Sequence, residues 1–317
     1  MNRLPRVADL GPSLNGWGYF LCTQKDTRTG RAGGEFLILT LQDASGQVTG
    51  KIFENVQRYK QEFDAGEFVR VEARSGVFQG RLELAISAIR RVNPDQDRLQ
   101  GFSEDECVMS APRSIDEMWA ELQAHAEAIK DPHVKVLIAR LLTDHEAQLR
   151  DWPAAQQIHH AYRGGFLEHL CTMMAGGRAL ATVYGADEDL VIAGVILHDI
   201  GKLQELAYDA GRTSYTRDGN LVGHIALGLI MVRETANGIQ GFPHELRSKL
   251  EHLVLSHHGS REHGSPVEPK TIEAFILAAV DDLDARINQV RRAIREDVND
   301  DEFTSWHKRL GRVLYKG

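Results

Sequence analysis

Cysteine is scarce in this sequence. Cys22, Cys107 and Cys171 are the only three among 317 residues, far apart and in no CxxC pair. That pattern excludes a disulfide framework, thiolate-rich zinc sites and iron–sulfur clusters. Long apolar runs are missing as well. The longest, LVIAGVIL at 190–197, falls far short of the ~20 residues that span a bilayer. The opening MNRLPRVADL lacks the apolar stretch of a signal peptide. No membrane association is expected, and the expected compartment is the cytoplasm. Internal repeats and low-complexity tracts are not seen. Hydrophobic residues make up 42% and charged residues 26%, a mix that excludes a disordered chain. A broad basic coat for nonspecific DNA binding is excluded too, because the net charge is −8. The balance is uneven: residues 1–95 hold 13 basic and 11 acidic side chains, the rest 24 and 34. The local surface therefore decides whether nucleic acid can bind.

Histidine, by contrast, is abundant. There are 14, and ten of them lie between His159 and His263.

The chain reads as two domains, making a multidomain α+β protein. Residues 1–95 alternate apolar and polar positions between Gly-bearing turns, the pattern of short strands. Five strands with one polar helix near Glu54 to Phe63 predict a small closed barrel of the OB type, with a small sandwich as the alternative. Residues 96–113, marked by Gly101 and Pro112, read as a linker. From Ser114 to 317 the apolar spacing is helical throughout, predicting an all-α bundle. Its expected helices include DEDLVIAGVILHDIGKLQEL as one stretch and DEFTSWHKRLGRVL near the C-terminus.

The chemistry centres on LHDIGK, residues 197–202. His198 and Asp199 end an apolar segment that must be buried, and an unpaired carboxylate there costs several kcal/mol. Pairing or a metal ion resolves that cost. Gly201 allows a close backbone approach, and Lys202 places a cation alongside, unless it only snorkels at a helix end. His169 and Asp281 occupy other apolar helices, and a bundle can converge such residues on one internal site. Imidazole with carboxylate suits Zn²⁺, Mn²⁺ or Fe²⁺ in an open site.

The order His169, His198–Asp199, Asp281 resembles the H…HD…D signature of HD-domain metal-dependent phosphohydrolases. His224 and His257–His258 match the extra histidines of dinuclear members, including the HD-GYP branch. Longer phrases, HHAYRGGFLEH, LHDIGK, GHI and LSHHG…GSP after an OB-like segment at 35–53, are similar to the YhaM-type 3′→5′ exoribonucleases over nearly the whole chain. Phe53 stands where that family often has tryptophan.

The resemblance implies two divalent ions, Mn²⁺ first, with Mg²⁺, Fe²⁺ and Zn²⁺ as alternatives. One would sit on His169, His198, Asp199 and Asp281; the other would share Asp199 and take His224, His257 and His258. Asp281, Asp282 and Asp284 compete for the late position, and helical phase favours Asp281. A pair of ions ~3.5–4 Å apart activates water and clamps phosphate oxygens. Asp199 and Lys202 are the expected catalytic pair, Lys202 offsetting charge on the phosphoryl group. His160 or His263 is the candidate proton donor for the leaving oxygen. On residue chemistry alone, His224 could be a satisfied core histidine, and His257–His258 a helix cap before Gly259. His125, His133, His145, His244, His252 and His307 read as surface or loop residues.

The implied substrate is single-stranded RNA, or DNA, cut from the 3′ end to nucleoside 5′-monophosphates. The barrel would bind the strand through Arg28, Arg31, Phe53, Arg74, Phe78 and Arg81, since OB folds combine cations with stacking aromatics. Two rival readings remain open. One is an HD phosphohydrolase of nucleotides or cyclic dinucleotides, although GSP (264–266) stands where GYP would be. The other is a non-catalytic OB-based RNA-binding protein. A homo-oligomer is also expected.

Overall fold

The computed structural model describes residues 2–30, 33–78, 81–154, 162–209, 212–297 and 299–317. It divides into two compact units, Met1–Ser110 with Asp209–Arg212 and Asp297–Ser305, and Ala111–Tyr208 with Thr213–Glu296 and Trp306–Gly317.

The first unit is built on β1 (Asn2–Arg3), β2 (Asn15–Thr29), β3 (Glu35–Asp43), β4 (Gly46–Ile52), helix α1 (Val56–Glu62), β5 (Glu67–Phe78) and β6 (Arg81–Arg91). Strand β2 is long enough to serve two partners. Its first half pairs antiparallel with β5 and its second half with β3, and the register shifts between Cys22 and Gln24. Such an irregularity bends the strand so the sheet can close. The parallel β4–β6 pairing completes a closed five-stranded barrel in the order β2-β3-β4-β6-β5. Alternate residues fill it: Leu37, Leu39 and Leu41 from β3, Val69 and Val71 from β5, Leu84 and Ile86 from β6, with Tyr59 and Phe63 from α1 and its C-cap joining the same core. The expected OB-type barrel is the observed fold.

The segment expected as a linker is folded. Helix α2 (Pro94–Asp97) carries Asp97, whose carboxylate accepts from Arg90 at 2.6 and 2.7 Å and from the Tyr19 hydroxyl at 2.9 Å. Phe102, Cys107 and Val108 then pack with Tyr19, Leu21 and Val92. Residues 96–110 thus belong to the barrel unit, because they bury their own apolar side chains on it.

The second unit contains α3 (Ile115–Glu127), α4 (Pro132–Asp144), α5 (Glu146–Asp151), α6 (Gly165–Tyr184), α7 (Glu188–Leu197), α8 (Lys202–Glu205), all but Asp209 and Arg212 of strands β7 (Leu206–Asp209) and β8 (Arg212–Tyr215), α9 (Arg217–Val222), α10 (His224–Asn237), α11 (His244–Ser256) and α12 (Ile272–Glu296). Ser114, Asp131 and Asp187 cap α3, α4 and α7 with side-chain oxygens, as short polar N-cap residues do. Helix α7 is apolar and buried on every face from Leu190 to Leu197, the central element against which α6, α11 and α12 pack.

Two expectations are corrected here. DEDLVIAGVILHDIGKLQEL is not one helix: α7 stops at Leu197, and a turn through Asp199–Gly201 precedes α8 and a short hairpin. The helix expected at DEFTSWHKRLGRVL is not formed. Asp297 accepts from the backbone N–H groups of Asn299 and Ser305, and Gly311 takes φ 62° in a turn opened by His307. Such local bonds compete with a helix. The segment also has little to bury: Phe303, Trp306 and Val313 stay exposed.

Candidate metal centre

Helix termini converge in the second unit. His198 caps the C-terminus of α7 and Asp199 follows it; His257 caps α11 and His258 follows. His224 opens α10, His169 lies in the second turn of α6, and Asp281 is midway along α12. His169, His198 and His257 are completely buried and Asp199 nearly so. Gly201 permits the assembly. A Cβ there would lie 2.0 Å from the His224 carbonyl oxygen and 2.5 Å from the Gly228 nitrogen, so the HD turn meets α10 backbone to backbone. The close approach expected of this glycine is observed.

The hydrogen bonds orient each ring. His198 Nδ1–H donates to the Val195 carbonyl at 2.8 Å, and His257 Nδ1–H to the Val254 carbonyl at 2.7 Å. His169 Nδ1–H donates to Asp284 at 2.7 Å, and His224 Nδ1–H to Glu205 at 3.1 Å. A carbonyl can only accept, so the opposite Nε2 of His198 and His257 presents its lone pair inward. His198, Asp281 and His169 place ligand atoms within 4.8 Å of one another; so do His224, His257 and His258. Asp199 lies between the sets, Oδ2 3.2 Å from His198 Nε2 and Oδ1 3.4 and 3.6 Å from Nε2 of His224 and His257.

Polar atoms buried without a hydrogen bond are costly. Here they gather: Nε2 of His198, His224 and His257, Nδ1 of His258, and Oδ1 of Asp199. Their common direction and their imidazole–carboxylate chemistry fit divalent cations. Burial pushes the His257 imidazole down to about 3 and lowers His258 too, which keeps both neutral and able to ligate. Burial opposes ionisation of Asp199, but the neighbouring Lys202 ammonium outweighs it and holds the carboxyl well below its usual range. Burial likewise works against the Lys202 ammonium, and the Asp199 carboxylate raises it instead. Lys202 pairs with Asp199 and is mostly buried, so it does not snorkel to solvent. At His169 burial favours the neutral ring, yet Asp281 and Asp284 lift it to about 9. A cation at Nε2 competes with that proton.

The competing aspartates separate. Asp281 Oδ1 faces His169 Nε2 at 3.4 Å and His198 Nε2 at 4.0 Å; Asp284 sits behind His169; Asp282 pairs outward with Arg286. Other candidates fall elsewhere. His263 is exposed in a short 3₁₀ turn, and no described contact joins it to the cluster. His160 and Arg31 lie outside the described residues. Sequence reasoning missed Glu205, and no local signal marked it, because its partner His224 lies 19 residues on.

The barrel candidates are surface groups. Phe53 is 62% exposed and stacks on Phe36, the cross-strand neighbour of Arg28. Phe78 is 54% exposed above the Lys51 ammonium and pairs in register with Arg81. Arg74 is exposed on the same outer side of the sheet, opposite Ala85, which pairs with Lys51. Arg90 and Arg91 are engaged by Asp97 and Glu67.

Family comparisons agree with this division. The HD domain family matches residues 166–286, and an OB-fold nucleic acid binding domain family matches residues 23–92. Fold and site thus define a divalent-metal-dependent HD-domain hydrolase joined to a nucleic-acid-binding OB fold. The curated 3′-5′ exoribonuclease YhaM of Bacillus subtilis is 36% identical over 273 residues, covering 86% of this chain and 85% of its own. The YhaM of Halalkalibacterium halodurans is 35% identical over 303 residues, covering 94% and 92%. The chain belongs to the YhaM 3′-5′ exoribonuclease family. Among solved structures, the second OB-fold domain of replication protein A from Methanococcus maripaludis aligns with 29% of this chain and 96% of its own length, at 18% identity and a TM-score of 0.25, a likeness too slight to build on. Among the described residues no helix is long and apolar enough to cross a membrane.

Proposed function

We propose that the chain hydrolyses single-stranded RNA from its 3′ end to nucleoside 5′-monophosphates, using two divalent ions, with Mn²⁺ the first candidate. The observation that carries this reading is the convergence of buried and half-buried, inward-aimed imidazoles on the two oxygens of Asp199. One ion is held by His169, His198, Asp199 and Asp281, the other by Asp199, His224, His257 and His258. Such ions supply an activated water and charge stabilisation at phosphorus. The protein contributes the rest. The apolar bundle around α7 excludes bulk water and strengthens every charge interaction inside. Lys202 holds the Asp199 carboxylate and offsets negative charge close to the phosphoryl group. The exposed Phe53 and Phe78, with Arg28, Arg74 and Arg81, offer a strand stacking surfaces and phosphate contacts. Homo-oligomerisation has a candidate surface in Ile272, Phe275, Leu283 and Ile287, exposed along α12.

The test is a 5′-labelled single-stranded RNA with metal-stripped protein, with and without Mn²⁺, beside single-stranded DNA and a cyclic dinucleotide. A Mn²⁺-dependent ladder of 3′-shortened RNA with mononucleotide products is expected. Turnover of the cyclic dinucleotide alone would replace this reading with a small-nucleotide phosphohydrolase.

A further inference from the structure

The histidines divide by what lies behind them. His198 and His257 stand at helix C-termini, where the last four carbonyls have no partner within the helix, and each donates Nδ1–H to one of these, Val195 or Val254. A helix end therefore aims its own histidine. His169 and His224 stand near helix N-termini, where the unpaired groups are N–H donors and cannot accept from imidazole. Both need an acceptor from another element, and both have a buried carboxylate: Asp284 at 2.7 Å for His169, Glu205 at 3.1 Å for His224. Each ligand set thus contains one histidine backed by a carbonyl and one backed by a carboxylate.

We propose that Glu205 and Asp284 are positioning residues, one for each candidate ion: Glu205 fixes the tautomer and aim of His224, and Asp284 those of His169. The assignment rests on the two-ion reading above and deepens it. Glu205 is held for the task. Its N–H donates to the Gly201 carbonyl and its carbonyl accepts from Thr216, both at 2.9 Å. Its carboxylate accepts from the His224 backbone N–H at 2.9 Å as well as from the ring, replacing the side-chain cap that Gly223 cannot provide. Gly219 lies so near that a Cβ would be 2.1 Å from the Glu205 carbonyl oxygen. Asp284 reaches His169 one turn along α12 from Asp281, so one helix grips both nitrogens of that ring. A carboxylate behind a ligating imidazole raises its basicity and locks its orientation, and removing it weakens metal binding roughly 10–100-fold.

The experiment measures Mn²⁺ stoichiometry and affinity by chelator competition in wild type, Glu205→Gln and Asp284→Asn, together with thermal melts of the metal-free proteins. Two equivalents in wild type are expected. Each single variant should weaken one equivalent about 10–100-fold, leave the other unchanged, and melt close to wild type when stripped. Combining the substitutions should weaken both. Glu205→Asp, which keeps the charge but shortens its reach, should weaken the same equivalent as Glu205→Gln, and decides the matter if the glutamine variant fails to fold. Unchanged affinities in the variants, or equal weakening of both equivalents by one substitution, would overturn the assignment while leaving two ions in place. Fewer than two equivalents in wild type would overturn the two-ion reading itself.

Discussion

The two units display their chemistry-bearing residues in opposite ways. In the helical unit His169, His198, Asp199 and His257 are buried, and most of the cluster's inward atoms lack hydrogen bonds. In the barrel Phe53, Phe78 and Arg74 lie on the surface. Burial of unsatisfied imidazole and carboxylate is costly enough to require an explanation, whereas an exposed Phe or Arg requires none. A buried polar cluster therefore announces a ligand by its own energetics. An exposed face acquires meaning from the fold and from measured binding.

Substitutions should separate the two units accordingly. The largest effect is expected for Asp199→Asn, which removes the charge shared by both ligand sets. Metal content should fall to near zero and RNA hydrolysis below detection, while gel-shift affinity for single-stranded RNA stays at the wild-type level. A parallel loss of RNA affinity would tie binding to the metal centre and erase the contrast. Gly201→Ala comes next. Its methyl group overlaps the His224 carbonyl, so the His224 side of the centre should be displaced, with about 1–3 kcal/mol of stability lost to overpacking. Metal titration with thermal melts reads both, and a wild-type result would mean the HD turn and α10 can part freely. Phe53→Ala should leave dinucleotide turnover intact and weaken longer single strands by about 1–3 kcal/mol, the worth of one stacked base. An unchanged KM for a long RNA would remove Phe53 from the binding surface. The smallest effect belongs to acid stability of the barrel. The Arg90 guanidinium beside Asp97 lowers its carboxyl to about 2. A carboxyl depressed on folding stabilises fully above its unfolded value, near pH 4, and the benefit fades as pH falls from there to about 2. The gain is up to about 2 kcal/mol, cut toward 1 by solvent at the partly exposed Arg90. Asp97→Asn should abolish that slope in melts between pH 4 and 2.

Much of this was readable beforehand for definite reasons. The barrel showed through alternation such as Leu37, Leu39 and Leu41, and the cluster through the HD pair closing an apolar run. Helical phase favoured Asp281 but could not part it from Asp284, one turn away on the same face; only the fold sets Asp284 behind His169 and turns Asp282 outward. What stayed hidden depended on partners distant in sequence. Arg90, Asp97 and Tyr19 look like independent surface groups until the chain folds residues 96–110 onto the barrel. Glu205 looks like a solvated helix end until His224, 19 residues later, presents two N–H groups to it. The C-terminal segment misled because its apolar spacing is helical while Trp306 stays exposed.

The carbonyl bonds of His198 and His257 turn helix length into a gauge. Each ring is aimed by the last turn of the helix that carries it, so the bearing of the lone pair depends on how many residues precede it. One residue inserted into α7 or α11 would swing its histidine by about 100° around the helix axis and carry it about 1.5 Å onward. The centre therefore fixes the residue count of α7 and α11 as firmly as it fixes the ligands they carry.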